Sequence, residues 1–362
     1  MADLSVNSIG DASGGAATTI NGFTPTVSNM AGRNRLINGG MGIDQRNAGA
    51  AVTATGQTYF LDRFQTANST ATGTITIQQS SLGNSRSFKN TATAAVTDLT
   101  ANKLVYGVLQ RVESQNCFDL NSRTITVSFK VETNWSGNLP VSIQNSALTR
   151  SYVVDVAVVS GVNSVSATIL LEAATVATNG VDRGLSVVIG TNNEADLRTA
   201  STGVWNADAY LLVSTSSTQW AKTTGNFINV TEVQLEEGSV ATPFEHRMYG
   251  QELALCQRYF RKMLATVIYA RFASGFCENT TRASTYIPFP TVMRSAPTFT
   301  TSGSFAVYSG NSVLTSVTVN ASDFTPISCA INGDGSGFTV GQGALILANN
   351  DAAAFMALSA EL

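Results

Sequence analysis

Short runs in which apolar and polar residues alternate fill most of residues 34–246. A β-strand turns successive side chains to opposite faces, so alternation over about four to eight residues predicts strands with one buried face. Clusters of Gly, Asn, Ser and Asp separate the runs, and no long helical period lies between them. This spacing predicts a β-sandwich or jelly roll over 34–246. The clearest runs are Thr74–Gln78, Lys103–Leu109, Arg123–Val131, Pro140–Gln144, Tyr152–Val159, Val165–Leu171, Gly184–Ile189 and Asn226–Leu235.

The pattern changes at residues 247–264, RMYGQELALCQRYFRKML. Apolar residues recur there at steps of four and three, as on one face of an α-helix, while Gln, Glu, Arg and Lys occupy the other face. The spacing predicts an amphipathic linker helix over 247–264. We expect it to pack on the sandwich or to contribute to a three-fold contact between copies of the chain. Its apolar seam consists of Tyr249, Leu253, Cys256, Phe260 and Met263.

Residues 265–362 return to alternating runs and predict a smaller C-terminal β domain. Prolines punctuate these runs, and proline is confined to strand edges and turns. The last stretch, from Asn349 to Leu362, fits a strand or a short helix. Residues 1–33 are small, polar and Gly-rich, which is typical of a flexible arm or of an extended docking arm that becomes ordered only against a partner. The predicted fold class is therefore mainly β: an extended N-terminal arm, a jelly-roll β-sandwich, a short amphipathic helix and a smaller C-terminal β domain.

The composition supports an all-β chain and disfavours several classes of function. Charged residues make up 12% of the 362, and Thr, Ser, Asn and Gly take their place. The net charge of −3 provides no basic excess to neutralise phosphates, so we expect no nucleic-acid partner. No apolar run approaches the ~18 residues that span a bilayer, and the first residues lack the features of a signal peptide. We expect no membrane insertion, and a protein that stays in the cytosol or leaves it inside an assembly.

Groups that carry catalysis or hold metals are scarce. The four cysteines are widely separated and lack CxxC spacing, so we expect buried free thiols and no zinc site. His246 is the one histidine, and its position before the predicted helix favours capping or packing over catalysis. The 24 acidic residues are scattered, and no repeated β-helix coil is present to scaffold a depolymerase. We expect no catalytic residue, no metal and no cofactor.

The three tryptophans, Trp135, Trp205 and Trp220, lie in polar, turn-rich stretches. An aromatic ring on a polar loop can stack on the apolar C–H face of a sugar. The alternative is that these rings cap the ends of the sandwich core. We take Trp135, Trp205 and Trp220 as candidate glycan-binding residues and keep both interpretations.

Three longer stretches resemble a known family. They are Gly32–Gln65, Arg123–Val153 and Val230–Lys262, the last with VQLEEGSVATPFEHR followed by ELALCQRYF. They are similar to phage tail-fibre and virion proteins of marine and environmental tailed phages, which are often described as carbohydrate-binding-like. The resemblance implies a jelly-roll module, a place in the virion and a homotrimer, and it carries over no catalytic residue. It also implies structural roles for Val233, Leu235, Pro243 and Phe244.

Composition and resemblance together predict a virion structural protein. The leading hypothesis is a tail fibre or fibre-like appendage that attaches through its N-terminal arm and contributes to adhesion to a host-surface glycan. Its expected partners are other virion proteins (a capsid, portal or tail component), further copies of the chain, and a host surface polysaccharide. The competing hypothesis is a capsid decoration or connector subunit that binds other virion proteins alone. A polysaccharide depolymerase is the third.

Overall fold

The computed structural model describes residues 32–69, 72–97, 104–310 and 313–362. They divide into two compact units. The first unit takes the described residues up to 42 together with 49–60 and 64–247, and the second takes 43–48, 61–63 and 248–362. The predicted docking arm over 1–33 lies outside the described residues, except for its last two.

The first unit is built from strands and a few short 3-10 turns. Its strands are β1 (Val52–Thr53), β2 (Gly56–Leu61), β3 (Phe64–Asn68), β4 (Thr74–Leu82), β5 (Ser85–Ala94), β6 (Leu104–Glu113), β7 (Thr124–Thr133), β8 (Gly137–Gln144), β9 (Ser151–Val158), β10 (Gly161–Leu170), β11 (Arg183–Ile189), β12 (Asn192–Asn193), β13 (Arg198–Thr199), β14 (Trp205–Asn206), β15 (Val213–Ser214) and β16 (Phe227–Glu237). The 3-10 turns are Ser114–Asn116, Phe118–Leu120, Ala195–Leu197 and Trp220–Lys222.

Two antiparallel sheets form the sandwich of the first unit, which confirms the predicted fold class for this region. One sheet has the strand order β1-β4-β5-β16-β7-β10, and the other runs β14-β9-β8-β11-β6-β3-β2, with β12 beside β6. In β7 the alternate residues Ile125, Val127 and Phe129 are buried, as period-two alternation requires. Phe88 of the six-stranded sheet meets Phe60 of the other sheet edge to face, with ring centroids 5.6 Å apart. Burying a side chain of this kind stabilises the fold by about 1.5–3 kcal/mol.

Part of the outer face of the eight-stranded sheet is covered by the chain itself. Leu212 and Val213, from the segment between β12 and β16, pack on Tyr106 and Val188 of that sheet. Burial in this cluster raises the pKa of Tyr106 to about 12. On the six-stranded sheet, by contrast, alternate residues of β10 are exposed, so its outer face at this edge meets solvent.

The second unit combines one helix with strands. They are α1 (Tyr249–Gln257), β17 (Phe260–Leu264), β18 (Arg271–Cys277), β19 (Arg282–Pro288), β20 (Thr298–Ser302), β21 (Phe305–Ser309), β22 (Val313–Ser322), β23 (Ser328–Asp334), β24 (Gly343–Ala348) and β25 (Phe355–Ser359). Strands β17 and β20 flank β25 in a small sheet, and the other six close into a barrel in the order β18-β19-β23-β22-β21-β24. Val307, Ile331 and Ile346 belong to the apolar core of this unit. This is the predicted smaller β domain, and its last segment contains a strand.

The predicted helix over 247–264 is wrong in its second half. Helix α1 ends at Gln257, and Phe260 and Met263, the end of the predicted seam, lie on β17. Met263 pairs there with Met356 of β25. Two heptads of apolar spacing do not distinguish one helix from a helix followed by a strand, because a partner strand far along the chain decides which ladder forms.

Within α1, the remaining seam residues differ in burial. Cys256 is fully buried and Leu253 is half-buried, whereas Tyr249 is 68% exposed. A three-fold contact through this helix stays a prediction. No helix among the described residues is long and apolar enough to cross a lipid bilayer.

All four cysteines are buried and free, as predicted. Burial raises the pKa of the Cys117 thiol to about 12 and that of Cys329 to about 11. Thiols buried in this way are inert as nucleophiles at neutral pH.

The second unit contains an ion-pair cluster that the sequence did not predict. Glu361 pairs with Arg46 at 2.8 Å and also with Arg63, whose side chain is almost fully buried. The Arg63 guanidinium lies 3.5 Å from the centroid of the Tyr259 ring, which adds a cation–π contact. Through this cluster, Arg46 of the segment 43–48 and Arg63 of the segment 61–63 both contact Glu361 near the C-terminus.

Candidate functional site

A groove of about 540 Å³ opens on the outer face of the six-stranded sheet. Outward-facing residues of β7 and β10 line it, with Lys130 opposite Ser164 and Ser128 opposite Ser166. Residues 241–244 and His246, which follow β16, also line it. Its volume lies in the range of about 300–1,000 Å³ typical of small-ligand sites. The lining residues are Ser128, Phe129, Lys130, Ser164, Val165, Ser166, Glu232, Ala241, Thr242, Pro243, Phe244 and His246.

The groove wall formed by 241–246 lies against the strand that precedes it. Gln234 and Glu236, two buried polar residues of β16, hold the wall in place. Thr242 donates its backbone N–H and its hydroxyl to the Glu236 carboxylate, at 2.8 and 2.6 Å. The backbone N–H of Glu245 donates to Oε1 of Gln234 at 2.9 Å. The polar residues of VQLEEGSVATPFEHR therefore fix the position of the wall.

Glu232 reaches the groove from an irregular point of β16. The pairing with β7 changes register between Thr231 and Gln234, and Glu232 adopts a positive φ of 52°. This left-handed conformation costs a non-glycine residue roughly 1–2 kcal/mol, so the surrounding structure must hold it. The Glu232 carboxylate accepts hydrogen bonds from Nζ of Lys130 and from Oγ of Ser85, both at 3.0 Å. Bulges commonly redirect side chains, and this one places a carboxylate beside Lys130.

Phe244 and His246 provide aromatic surface in the same groove. Their rings meet edge to face, with centroids 4.9 Å apart. Phe244 also packs against the chain at Gly40, where an added methyl group would lie 3.6 Å from the ring. Phe244 is thus both a packing residue, as the resemblance implies, and part of the groove lining. Aromatic carbon together with the Lys130–Glu232 pair can contact a ligand that has both C–H faces and hydroxyl groups.

The groove wall is tied to the beginning of the described chain. Nδ2 of Asn34 donates to the carbonyl of Val233 at 2.9 Å, and its Oδ1 accepts the N–H of Leu235 at 3.1 Å. The Glu245 carboxylate accepts the backbone N–H groups of Gly32 and Asn34, both at 2.7 Å. Val233 and Leu235 are themselves buried, which fits the structural role that the resemblance implies. The first and third resembling stretches therefore meet at this wall.

Two of the predicted glycan-binding residues are buried, which corrects the expectation for them. Trp220 is fully buried, and its indole Nε1 donates to the carbonyl of Gly190 at 2.7 Å. Trp135 is 8% exposed, and its Nε1 donates to the carbonyl of Phe227 at 3.0 Å. With buried faces and hydrogen-bonded edges, neither ring is available to stack on a sugar. They belong to the sandwich core, which was the alternative interpretation.

Trp205 is partly exposed on the short edge strand β14. Its Nε1 donates to the carbonyl of Leu170 at 3.0 Å, and its ring meets Tyr152 edge to face at 5.6 Å. None of the three tryptophans lines the groove. A glycan-binding role for Trp205 stays a prediction.

The groove depends on residues that the sequence did not single out as ligand contacts. Lys130 occupies a polar position of an alternating strand, which most often marks a solvated face. Glu232 acquires its position from a bulge that no short pattern encodes. A sequence feature that could have pointed to the groove is His246, which lies two residues after Phe244 in a segment without regular alternation.

Comparisons with known proteins give weak structural likenesses. No protein-family model matches the chain, and no curated protein matches it. Similar solved structures include the enzymatically active domain of tailspike protein 4 of bacteriophage CBA120, with 11% identity over 56% of this chain and 21% of that chain and a TM-score of 0.29. They also include the CBM22-1 xylan-binding domain of Paenibacillus barcinonensis Xyn10C, with 9% identity over 54% of this chain and 99% of that domain and a TM-score of 0.27.

A third similar structure is the CBM22-1–GH10 part of Clostridium thermocellum xylanase 10B, with 11% identity over 58% of this chain and a TM-score of 0.28. The chain spans 21% of the tailspike domain and 30% of the CBM22-1–GH10 chain. The first of these neighbours is an enzymatically active domain of a phage tailspike, and the other two contain xylan-binding or xylanase modules. Scores of this size assign neither a function nor a ligand to this chain.

Proposed function

We propose that this chain is a phage virion appendage protein whose jelly-roll unit binds a host-surface glycan in the groove. The observation that carries the proposal is the meeting, in one groove, of the Lys130–Glu232 pair with the Phe244–His246 ring pair. A sugar ring offers hydroxyl groups along its edge and C–H groups on its face. Paired charges and serine hydroxyls exchange hydrogen bonds with the former, and aromatic carbon packs on the latter.

The lining of the groove favours binding over hydrolysis. Glycoside hydrolysis generally uses two carboxyl groups, about 5–10 Å apart, on either side of the scissile bond. Among the described residues that line the groove, Glu232 is the one carboxylate, and it is engaged by Lys130 and Ser85. We therefore propose adhesion without catalysis.

The virion part of the proposal rests on the sequence stretches that resemble tail-fibre and virion proteins. Two of those stretches build the groove wall, through Asn34 on one side and Gln234 and Glu236 on the other. Attachment through residues 1–33 to a capsid, portal or tail component belongs to the same proposal, as does assembly as a homotrimer. Mass measurement of the purified chain in solution tests the trimer directly.

Glycan-array binding of the full chain, followed by titration of the strongest ligand, tests the groove. We expect Lys130→Met and Glu232→Gln each to weaken binding at least about tenfold, since each removes a charged hydrogen-bonding group worth roughly 1.5–3 kcal/mol. The matched control is Lys89→Met: Lys89 lies on the same sheet, over the Phe227 ring at 4.0 Å, and does not line the groove. Unchanged binding in both groove variants would show that the groove is not the glycan-binding site.

Glu232→Gly separates binding from folding. Glycine adopts the positive φ at this position without strain, which offsets the loss of a partly exposed ion pair worth about 0–1 kcal/mol. We expect the free energy of unfolding to stay within about 1 kcal/mol of the native value while glycan binding falls to background. A variant that binds as well as the native chain would show that Glu232 serves the fold alone.

Labelling of intact particles and competition for adsorption test the appendage role. We expect antibodies against this chain to label tail appendages, and the purified protein to reduce phage adsorption to its host. Labelling on the head without any effect on adsorption would instead support the capsid-decoration hypothesis.

A further inference from the structure

The barrel of the second unit presents two exposed aromatic rings on one part of its outer surface. Phe276 on β18 is 54% exposed and Tyr286 on β19 is 63% exposed. Phe276 pairs with Ser284 in the register of β18 and β19, and Tyr286 lies two residues beyond Ser284 on the same strand. Directly paired residues, and alternate residues of one strand, project from the same face of a sheet. Both rings therefore flank the Ser284 hydroxyl.

A fixed row of hydroxyl and amide groups continues from Ser284 across two more strands. The Ser284 hydroxyl donates to Oδ1 of Asn332 on β23 at 3.1 Å. Nδ2 of Asn332 donates in turn to Oδ1 of Asn320 and Oγ of Ser322 on β22, both at 3.2 Å. Asn332 is buried between these neighbours. The row is thus held in position by its own hydrogen bonds before any ligand arrives.

A polar cleft of about 430 Å³ lies at the end of this row. Arg282, two residues before Ser284, binds Asp334 through Nε and a terminal nitrogen at 2.7 and 3.3 Å. Asn320 also donates to the Asp334 carboxylate. The guanidinium and the carboxylate compensate each other, so the ion pair adds no net charge to this surface. The cleft is lined by Asn279, Thr281, Arg282, Asp334 and Gly335.

We infer that this surface, which we call the barrel platform and define as Phe276, Arg282, Ser284 and Tyr286, is a second binding site and takes a neutral saccharide. The buried Asn332 holds the Ser284 hydroxyl in position. The two rings offer apolar faces to sugar C–H groups, and the row and the ion pair offer donors and acceptors to its hydroxyls. An apolar protein surface would cover the Ser284 hydroxyl and the Arg282–Asp334 pair without hydrogen-bonding their remaining donor and acceptor sites, which is unfavourable. The charges of Arg282 and Asp334 compensate each other, and the charge of Glu278, which also acts on Arg282, disfavours anionic ligands.

The inference is independent of the groove, because no residue of the platform lines it. Two sites on one chain would raise the avidity of a multimeric appendage for a surface that carries repeated sugars.

Saturation-transfer NMR with the full chain tests the platform. The neutral probes are xylohexaose, cellohexaose and maltohexaose, and the anionic probe is hexagalacturonate. The measurements use chain that carries Lys130→Met, so that the groove contributes little. We expect a neutral probe to bind, and Phe276→Ser and Tyr286→Ser each to weaken it about tenfold, equivalent to about 1.4 kcal/mol. Tyr286→Phe retains the ring and should retain most of the affinity.

Tyr308→Ser is the matched control, because Tyr308 is a partly exposed tyrosine on β21, on another part of the barrel. Equal affinity in the platform variants and this control would overturn the inference. Binding by no neutral probe, or preference for hexagalacturonate, would overturn it as well. If Lys130→Met abolished all binding, the platform would be excluded and the groove retained. If Tyr286→Ser weakened binding and Lys130→Met did not, the groove would be excluded and the platform retained.

Discussion

Asp62 makes the stability of the second unit depend on pH. Its carboxylate accepts hydrogen bonds from the backbone N–H and from Nε2 of Gln45, at 2.6 and 2.9 Å. Burial nevertheless outweighs these bonds and the nearby charge of Arg46, and it raises the pKa of Asp62 from 3.8 to about 6. The folded state therefore binds this proton more tightly than the unfolded state does.

The sign and size of the effect follow from proton linkage. The stability that comes from protonated Asp62 is present below about pH 4 and is lost as the pH rises through about 6. The difference of about two pH units corresponds to about 3 kcal/mol, of which about 2 kcal/mol falls between pH 4 and pH 7. Asp62→Asn removes the titration and keeps the shape of the side chain. The free energy of unfolding of the variant, minus that of the native chain, should rise by about 2 kcal/mol over this range.

Amide hydrogen exchange in peptides covering β25 is a suitable assay, because all three tryptophans lie in the first unit and their fluorescence would report on that unit. Comparing the two proteins at each pH cancels intrinsic exchange chemistry. Any hydrogen bond to Gln45 that the substitution changes without titrating adds a constant to the difference in unfolding free energy, so the pH dependence of that difference is unaffected. A difference that stays constant within about 0.5 kcal/mol from pH 4 to pH 7 would refute the reasoning.

Three further predictions concern the core. Gly39→Ala should destabilise the chain by about 1–3 kcal/mol in urea unfolding followed by circular dichroism, because the added methyl overlaps the carbonyl oxygen of Val233. Gly40→Ala is its control and should change stability by less than about 0.5 kcal/mol. Trp220→Phe should cost about 2–3 kcal/mol in the same assay, since it leaves a void and removes the hydrogen bond to Gly190; a cost below about 0.5 kcal/mol would place the ring outside the core. The four thiols should react with a disulfide reagent only on unfolding, and a fast phase in the folded protein would contradict their burial.

The β architecture could be predicted because its signal is local. The alternation of Arg123–Val131 predicted a strand, and β7 spans Thr124–Thr133 with alternate residues buried. The alternation reflects which face of the strand meets the core. Each short segment carries this information in its own residues. The extent of the helix could not be predicted in the same way. Phe260 and Met263 satisfy helical spacing, but β25 provides them with a strand partner nearly 100 residues later.

The candidate site was harder to predict because it is assembled from distant parts of the chain. Lys130 and Glu232 are about 100 residues apart, and their pairing depends on the change of register in β16. The tryptophans misled for a related reason. Polar neighbours in sequence predicted exposure for Trp220, whereas the backbone around it turns the ring into the core and pairs its nitrogen with Gly190.

The string VQLEEGSVATPFEHR is explained largely by the construction of the groove wall. Gln234 and Glu236 would be costly to bury alone, but Thr242 and the backbone of Glu245 satisfy their polar atoms. These contacts need no ligand, so the string specifies a shape. The proposed ligand contact from Lys130 lies outside it, on a different strand. A chain that kept the string but lacked a cation at this position would therefore keep the wall and lose the charged hydrogen-bond donor. The string accordingly marks an architecture and provides the Phe244–His246 ring pair of the groove, whereas the side chains of β7 and β10 across the groove determine its further polar contacts.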